Sequence, residues 1–403
     1  MPKARRLVTS IVGVLALAGA AALTVGPMIA VAAATPAAAR SSAVPMPAPP
    51  SVQATAFMLM DADTGTVLAS LAADDRRPPA SLTKIMTAYI VESEIASKRI
   101  GAQDQVPVSE RAWKTEGSRM FIQVGTQVPL SDLLRGVVIQ SGNDASVALA
   151  EYVAGSEDGF AEVMNRTAAK LGLTGTHFTN ATGWPAPQHY STAHDLGRLA
   201  VRVIRDYPEQ YKIYSERDFT FNGIHQANRN DLLFRDLTVD GMKTGYTEEA
   251  GYCLIASSLR EGMRLVVVIL GAPDPSARAR DAAKLLGFGF RYFQTHRLYQ
   301  PDQVIKTSRV WGGATDSVAL SVATPVAVTL PRGRYADLVP EAELSHIVRA
   351  PIAKGAELGV LRVKLDGREL VSTPLLARTA VAQGSWLKRL WHWILLFFTE
   401  LFG

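Results

Sequence analysis

The chain predicts an α+β fold in which a helical cluster packs beside an antiparallel sheet, followed by a small all-β domain and a C-terminal amphipathic helix. Three observations carry that expectation. Residues 91–165 are largely helical in pattern, whereas Leu237–Lys243, Gly251–Ser257 and Leu265–Gly271 read as consecutive strands. Helices and strands that segregate in this way do not build an alternating parallel-sheet fold. From about Leu298 the apolar residues alternate singly, in Val318, Leu320 and Val322, in Val326, Val328 and Leu330, and in Leu361, Val363 and Leu365. Asp366-Gly367 turns the last of these into Leu370-Val371, and a period of two with an Asp-Gly turn is the pattern of an antiparallel hairpin. Finally, Trp386, Leu390, Ile394, Phe397 and Leu401 share one side of a helical wheel; Lys388, His392 and Thr399 share the other, with Arg389 and Glu400 beside them.

Length and composition bound the rest. A chain of 403 residues accommodates two or three domains, and 48% apolar against 20% charged residues is enough for globular cores. The formal net charge of +5 overstates the basicity. Lys3, Arg5 and Arg6 sit in an acid-free N-terminal segment, and without residues 1–39 the Lys and Arg count falls from 42 to 39 against 37 acids. No basic tract remains to mark nucleic acid as a partner. The single cysteine, Cys253, excludes an intramolecular disulfide, and its apolar, strand-like setting suits a small buried hydrophobe better than a reactive thiol. The histidines are scattered, with no His-Glu-x-x-His and no phosphate loop, so neither a metal nor another cofactor is implied.

Taken in order, residues 1–39 have a basic head, an apolar run from Leu7 to about Ala33, and Ala-x-Ala ends at Ala32-Ala33-Ala34 and Ala37-Ala38-Ala39. That is a signal-peptide pattern, with an uncleaved membrane anchor as the alternative, and in either case the rest of the chain is exported. Residues 40–54 hold Pro45, Pro47, Pro49 and Pro50 among small residues and read as a linker. Phe57–Met60 and Val67–Leu71 flank the turn residues Asp61–Thr66, a hairpin signal. Pro78-Pro79 stop any earlier helix, after which Leu82, Ile85, Met86, Tyr89 and Ile90 recur at helical spacing. Lys114–Arg119 reads as a loop and Met120–Val124 as a short extended piece. Gly142 lets the chain turn sharply, aiming Ser141 and Asn143 into a cleft. Phe160–Leu171 is an amphipathic helix, residues 174–190 are turn-rich, and Thr192 with Asp195 makes a capping box for a helix to about Arg205. Asn222-Gly223 turns a further hairpin, and Ala277–Phe293 reads as a helix. Residues 55–297 therefore form one domain, 298–383 the all-β domain without a catalytic cluster, and 384–403 the terminal helix.

The chemistry lies in three short motifs. Ser81 and Lys84 are three apart at the start of the helical run, which makes them neighbours on one face. A serine hydroxyl is a poor nucleophile until a base takes its proton. A lysine one turn away can be that base if it is held neutral, and the helix N-terminus adds partial positive charge where an oxyanion forms. Alone, the motif reads as well as a capping serine with a surface lysine. Ser141-Gly142-Asn143 and Lys243-Thr244-Gly245 follow in that order, and the ordered set of three is far more specific than any one of them.

With these triplets the chain resembles the D-alanyl-D-alanine carboxypeptidases, the low-molecular-mass penicillin-binding proteins. Gln140–Ala145, Phe219–Ile224 and Gly287–Arg291 look like that family too, and the resemblance covers roughly residues 54–383. It implies a penicillin-binding, β-lactamase-like transpeptidase domain and an exported serine carboxypeptidase that trims peptidoglycan stem peptides and is acylated by β-lactams. By that resemblance Ser81 attacks, Lys84 takes its proton, Ser141 relays the proton to the leaving amine, and Asn143 holds the peptide amide of the acyl side. A second cation, Lys243, and partial burial lower the pKa of Lys84. The N–H groups of Ser81 and Tyr246 form the oxyanion hole, and Lys243, Thr244, Gly245 and Tyr246 present a strand for an extended substrate. Thr244 and Arg278 bind the leaving carboxylate; for Arg278 a solvated helix-start arginine is the other reading. Glu162-Val163-Met164-Asn165 is only a faint likeness of a deacylating glutamate motif and reads as structural. Alternatives are a D,D-endopeptidase that cuts crosslinks and a low-turnover wall-binding structural protein.

The terminal segment completes the expectation. Trp386, Trp391 and Trp393 lie on a wide apolar face, while the uninterrupted apolar run Trp393–Phe398 is too short to span a bilayer. An in-plane membrane anchor over Trp386–Phe402 fits, with Lys388, Arg389 and His392 meeting anionic headgroups; a helix docked on its own domain is the alternative. The expected location is the periplasm, peripherally anchored to the outer face of the cytoplasmic membrane.

Overall fold

The computed structural model describes residues 46–301 and 303–402. The signal-peptide reading and residues 40–45 of the linker lie outside these.

The centre is a five-stranded antiparallel sheet in the order Val67–Leu71, Ala56–Asp61, Met263–Ala272, Gly251–Arg260, Val239–Thr247. Its middle strand Arg264-Leu-Val-Val-Val-Ile-Leu is nearly continuous in apolar residues because both faces are covered. Met58, Met60, Val266 and Val268 face a helical cluster with Ile85, Leu133, Phe160 and Leu199. Phe57, Leu59, Val267 and Ile269 face the helix Pro275–Tyr292 through Ala282, Leu285 and Leu286. The first hairpin, the three later strands and this helix fall where the sequence places them. What remains of the linker is tied down: the N–H groups of Gln53 and Ala54 donate to Asp281 at 2.7 and 3.0 Å.

The helical cluster departs from expectation in detail. A small hairpin of Gln105–Pro107 and Gln127–Pro129 interrupts it, too short to show as alternation. Met120–Val124 forms no strand. Phe121 has φ +69°, and the N–H groups of Met120, Phe121 and Ile122 donate to the buried Asp144 carboxylate, which replaces a ladder partner. The expected capping box is half made. Thr192 accepts from the Asp195 N–H at 3.0 Å, but the Asp195 carboxylate turns away to Gly175 and Thr176.

The C-terminal part has its own core, with Val318, Leu320, Leu361 and Leu375 inside a five-stranded antiparallel sheet. Asp366 and Gly367 at φ +51° and +78° make the expected tight turn between Glu357–Leu365 and Arg368–Ala377. Its first strand, Phe293–Tyr299, begins before Leu298 and pairs with Val326–Pro331. The buried Asp61, in the first hairpin of the central sheet, accepts from Thr295 on that strand at 2.6 Å, and Thr64 meets Thr329 at 2.7 Å.

The helix Trp386–Phe402 docks on this domain by its polar side. Gly312 donates to His392 Nδ1 at 2.8 Å, His392 packs edge-on against Trp311, and Lys388 pairs with Asp316 at 2.8 Å. Lys388 and His392 are thus engaged by protein rather than presented for headgroups, which corrects that expectation: a carboxylate on the domain surface is the nearer partner. Trp386, Leu387, Leu390, Trp391, Trp393, Phe397 and Phe398 remain exposed. No described helix is long and apolar enough to cross a membrane.

Candidate active site

Ser81 sits in a 3-10 turn, Ala80–Thr83, that runs into the helix Lys84–Ala96. Ala80 has φ +48°, a left-handed conformation uncommon outside glycine, and it reverses the chain after Pro79. Leu82 and Thr83 are buried while Ser81 stays partly open. Lys84 is only 1% exposed. Its Nζ meets Ser81 Oγ at 3.0 Å, Asn143 Oδ1 at 2.7 Å and the Thr182 carbonyl at 2.5 Å, one partner for each N–H of an ammonium. Burial lowers its pKa to about 7, helped by the Arg229 guanidinium and opposed by Asp144 and Glu157. Burial is therefore complete rather than partial, and Arg229 is a further cation beside it. Lys84 and Lys243 also repel each other: Lys243 is itself pushed well down, first by burial and then by Lys84, Arg229 and Arg278.

The second motif follows a short π-helical turn, Gly136–Gln140. Here Ser141, at φ +66°, takes the left-handed conformation, whereas Gly142 has φ −58°. The sharp turn expected of Gly142 belongs to Ser141. Glycine is needed next to it for space: a Cβ on Gly142 would lie 2.8 Å from Asp144 Oδ1 and 3.2 Å from the Met120 nitrogen. Asn143 also donates through Nδ2 to the Glu116 carbonyl at 2.6 Å, so its amide orientation is fixed from both ends.

The third motif occupies the edge strand Val239–Thr247, which runs on past Lys243, where the sequence ends it, to Thr247. A Cβ on Gly245 would be 3.2 Å from the Ser81 nitrogen and 3.2 Å from the Pro79 carbonyl, so glycine lets this strand lie against the nucleophile turn. Lys243 and Thr244 are buried, and Lys243 donates to the Thr244 carbonyl at 2.9 Å. Tyr246 is 51% exposed and stacks on Tyr252 at 4.3 Å. Arg278 is 7% exposed, over Tyr252 at 6.0 Å, with Nε lacking a hydrogen-bond partner, so the solvated reading of this arginine fails.

Ser81, Asn143 and Tyr246 line one cleft of about 770 Å³ together with Gly117, Trp184 and Arg229. Lys84 reaches it through Ser81; Ser141, Lys243, Thr244 and Gly245 are buried on the elements that form its walls, and Arg278 stands behind Tyr252. Sequence reasoning missed the loop that closes the back. Asn180 Oδ1 accepts from the N–H groups of Thr182, Gly183 and Trp184 at 3.1, 2.8 and 3.1 Å, an Asx-type clamp. The loop is pinned to the nucleophile helix by Thr83 with His189, Lys84 with Thr182, and Thr87 with Ala181. Asn180-Ala-Thr-Gly within the turn-rich residues 174–190 was the available signal. Arg229 gave none, being one arginine in a polar loop. Glu162 points to solvent and pairs with Arg166, away from this cleft. Cys253 is buried, and burial lifts its thiol to about 11.

A serine backed by a buried, near-neutral lysine, beside an Asn-bearing turn and a Lys-Thr-Gly edge strand, defines the class of serine acyl-transfer enzymes. Within it, the chain belongs to the D-alanyl-D-alanine carboxypeptidase family, whose pattern matches residues 43–274, while the C-terminal domain of penicillin-binding protein 5 matches residues 293–383. It is similar to the D-alanyl-D-alanine carboxypeptidase DacC of Escherichia coli K12, with 43% identity over 88% of this chain and 90% of the relative. It is also similar to DacA of Haemophilus influenzae, with 40% identity over 88% of this chain and 92% of that protein. The crystal structure of penicillin-binding protein 5 from Haemophilus influenzae superposes with a TM-score of 0.79 at 40% identity, covering 84% of this chain and all of that one. An ampicillin-bound penicillin-binding protein D2 from Listeria monocytogenes matches with a TM-score of 0.56 at 30% identity over 60% of this chain and 98% of its own. The chain is thus an enzyme of the serine-type D-alanyl-D-alanine carboxypeptidase class.

Proposed function

We propose that this enzyme is exported and removes the terminal D-alanine from peptidoglycan stem pentapeptides through an acyl-enzyme on Ser81. The observation that carries this reading is the 3.0 Å contact between Ser81 Oγ and the buried Nζ of Lys84, whose pKa of about 7 leaves an amine free to accept a proton. Ser81 Oγ bonds to the carbonyl carbon of the penultimate D-alanine as Lys84 takes the hydroxyl proton. The N–H groups of Ser81 and Tyr246 hold the oxyanion, and Asn143 holds the acyl-side amide. The C–N bond then breaks, Ser141 relays the proton to the departing amine, and D-alanine leaves. Lys243, Thr244 and Arg278 receive its carboxylate; the buried Arg278 with a free Nε supports that role. Water, activated by Lys84, cleaves the ester and restores Ser81. The strand Lys243–Tyr246 lies at a sheet edge, which suits pairing with an extended peptide. A β-lactam enters the same path and stays as an acyl group.

The division into a leader at 1–39, a linker at 40–54, a catalytic domain at 55–297, a β domain at 298–383 and an anchor at 384–403 is part of this proposal. So is a periplasmic location at the outer face of the cytoplasmic membrane. The polar side of the terminal helix faces the β domain and its tryptophans face outward, an arrangement that suits insertion in the plane of the interface. The test is the purified enzyme with a defined pentapeptide. Free D-alanine should appear with wild type and not with Ser81→Ala, and penicillin should add one acyl group to the Ser81 peptide. No D-alanine from wild type, or an adduct of equal yield on Ser81→Ala, would overturn the reading.

A further inference from the structure

Six acidic side chains are buried among the described residues, and five of them are satisfied. Asp61, Asp144, Glu157, Asp195 and Asp281 each accept at least one backbone N–H. Glu92 is the exception: both its oxygens are buried and neither has a hydrogen-bond partner. A second buried group shares its condition. The Tyr214 hydroxyl lacks a partner and feels the Glu92 charge, whereas Tyr211, on which Tyr214 stacks at 5.4 Å, donates to Asp240 at 2.9 Å. Buried polar groups left unbonded destabilise a fold, so two side by side mark a place where a partner belongs. Glu92 lines a pocket of about 290 Å³. The pocket lies between the helix Lys84–Ala96, the helix Leu130–Arg135 and the 3-10 turn Gln210–Ser215, and it shares no lining residue with the catalytic cleft. Its walls are apolar, from Ile95, Ala102, Leu134 and Ile213. The charges at its rim are matched among themselves: Arg135 pairs with Glu216 at 3.0 Å and Lys212 with Glu209 at 2.5 Å. Among the described residues Glu92 is thus the one charged group of this pocket without a counter-ion.

We infer that this pocket is a second ligand site, which takes a small alkylammonium ion. The aliphatic body lies against Ile95, Leu134 and Ile213, and the ammonium, with its three donors, bonds to the Glu92 carboxylate and the Tyr214 hydroxyl. A neutral alcohol of the same shape satisfies the walls but not the acid, and a metal ion finds a single carboxylate where it needs several oxygens. The Glu92 oxygens are closed to water in the free chain, so binding includes a side-chain shift at the pocket floor. Burial holds the Glu92 carboxyl protonated when no cation is beside it, and pairing with the ammonium releases that proton to solvent. Tyr214 stays a neutral phenol because burial raises its pKa as well, and the rim groups Arg135, Glu209, Lys212 and Glu216 are already in pairs. Affinity should therefore rise with pH, by up to about tenfold per unit, until the native pKa of Glu92 is reached. The site touches both catalytic elements from behind. Glu92 stands two turns beyond Lys84 on the same helix, and the helix Leu130–Arg135 runs into the turn that carries Ser141.

The test is calorimetric titration of the whole chain with n-pentylammonium chloride, with 1-pentanol as the neutral isostere and sodium chloride at matched ionic strength as the blank. Wild type should bind a single equivalent of the amine at about pH 8, about tenfold or more tighter than the alcohol, and more weakly at about pH 6. Glu92→Gln keeps the size of the side chain but not its charge. It should weaken amine binding by about tenfold or more and remove the pH dependence. Ala102→Leu fills the pocket from its part-exposed wall and should abolish binding while Glu92 stays in place; it decides the matter if Glu92→Gln fails to fold. Glu248→Gln/Glu249→Gln removes the two exposed carboxylates of the catalytic cleft, a rival place for an ammonium, and should leave the titration as it is. No binding by wild type, equal binding of amine and alcohol, or unchanged binding in Ala102→Leu overturns the site. Loss of binding in the cleft variant also overturns it, since the amine then sits in the catalytic cleft.

Discussion

The active-site cleft and the terminal helix both carry cations among apolar neighbours, and they use them in opposite ways. In the cleft, Lys84, Lys243 and Arg278 are buried without a carboxylate hydrogen-bonded to any of them among the described residues, and burial drives each below its ordinary pKa. On the helix, Lys388 meets Asp316, and the carboxyl of Asp316 is held below its usual range by that lysine. Lys84, denied a counter-ion and lowered to about 7, can give up its proton and act as a base, whereas the guanidinium of Arg278 stays charged. A cation given its counter-ion stays charged and orients the element that bears it. The same chemistry yields reactivity in one place and docking in the other, and the apolar face of the helix is left outward as a consequence.

The largest expected effect removes the base. Lys84→Ala should slow acylation by penicillin ~10²–10⁴-fold, the usual worth of a positioned general base; a rate within tenfold of wild type would show that another group takes the Ser81 proton. Second, cutting the chain before Ser385 should leave a soluble enzyme that releases D-alanine but no longer sediments with phospholipid vesicles, because the outward tryptophans are gone. Co-sedimentation of both forms would place the anchor elsewhere.

A third test concerns a buried carboxyl that is neither reactive nor paired among the described residues. Glu92 lies on the nucleophile helix, with both carboxylate oxygens buried and lacking a partner. Burial raises its pKa well above the ordinary carboxyl value. The native chain then keeps a proton that the unfolded chain releases, so stability is greatest at low pH and falls as pH rises toward the native pKa. Glu92→Met should therefore raise the unfolding free energy read from urea denaturation by about 1–3 kcal/mol at about pH 8, and by less at about pH 4. An equal gain at both would mean that only packing had changed.

The smallest effect is a shift. Acylation should rise with pH through about 7 as Lys84 loses its proton. Arg229→Gln removes the second cause of that low value while burial, the first, remains, so the limb should move to higher pH with its plateau kept. Stopped-flow acylation across pH reads this directly, and an unmoved limb would leave burial as the whole cause.

The triplets made the site legible because each residue type is tied to a chemical task. Serine with lysine one helical turn away had a reason that holds before any fold is known, whereas the reason for the glycine after Lys-Thr came only from its packing on the nucleophile turn. The strands, the Asp366-Gly367 turn and the amphipathic terminal helix were legible for a similar reason: periods of two and of 3.6 follow from backbone geometry alone. Local pattern could not reveal partners distant in the chain. Nothing near Met120 announced that its N–H groups end on Asp144, and nothing near Lys388 announced Asp316. The left-handed residue proved to be Ser141 rather than Gly142, and glycine follows it for want of room for a Cβ, which only packing reveals. The sequence alone thus determined which residues can do chemistry and which segments must bury one face. The tertiary structure decided which cation faces which, how deeply Lys84 is enclosed, and which side of the last helix turns outward, because electrostatic energies depend on distances and burial that arise only when remote segments pack together.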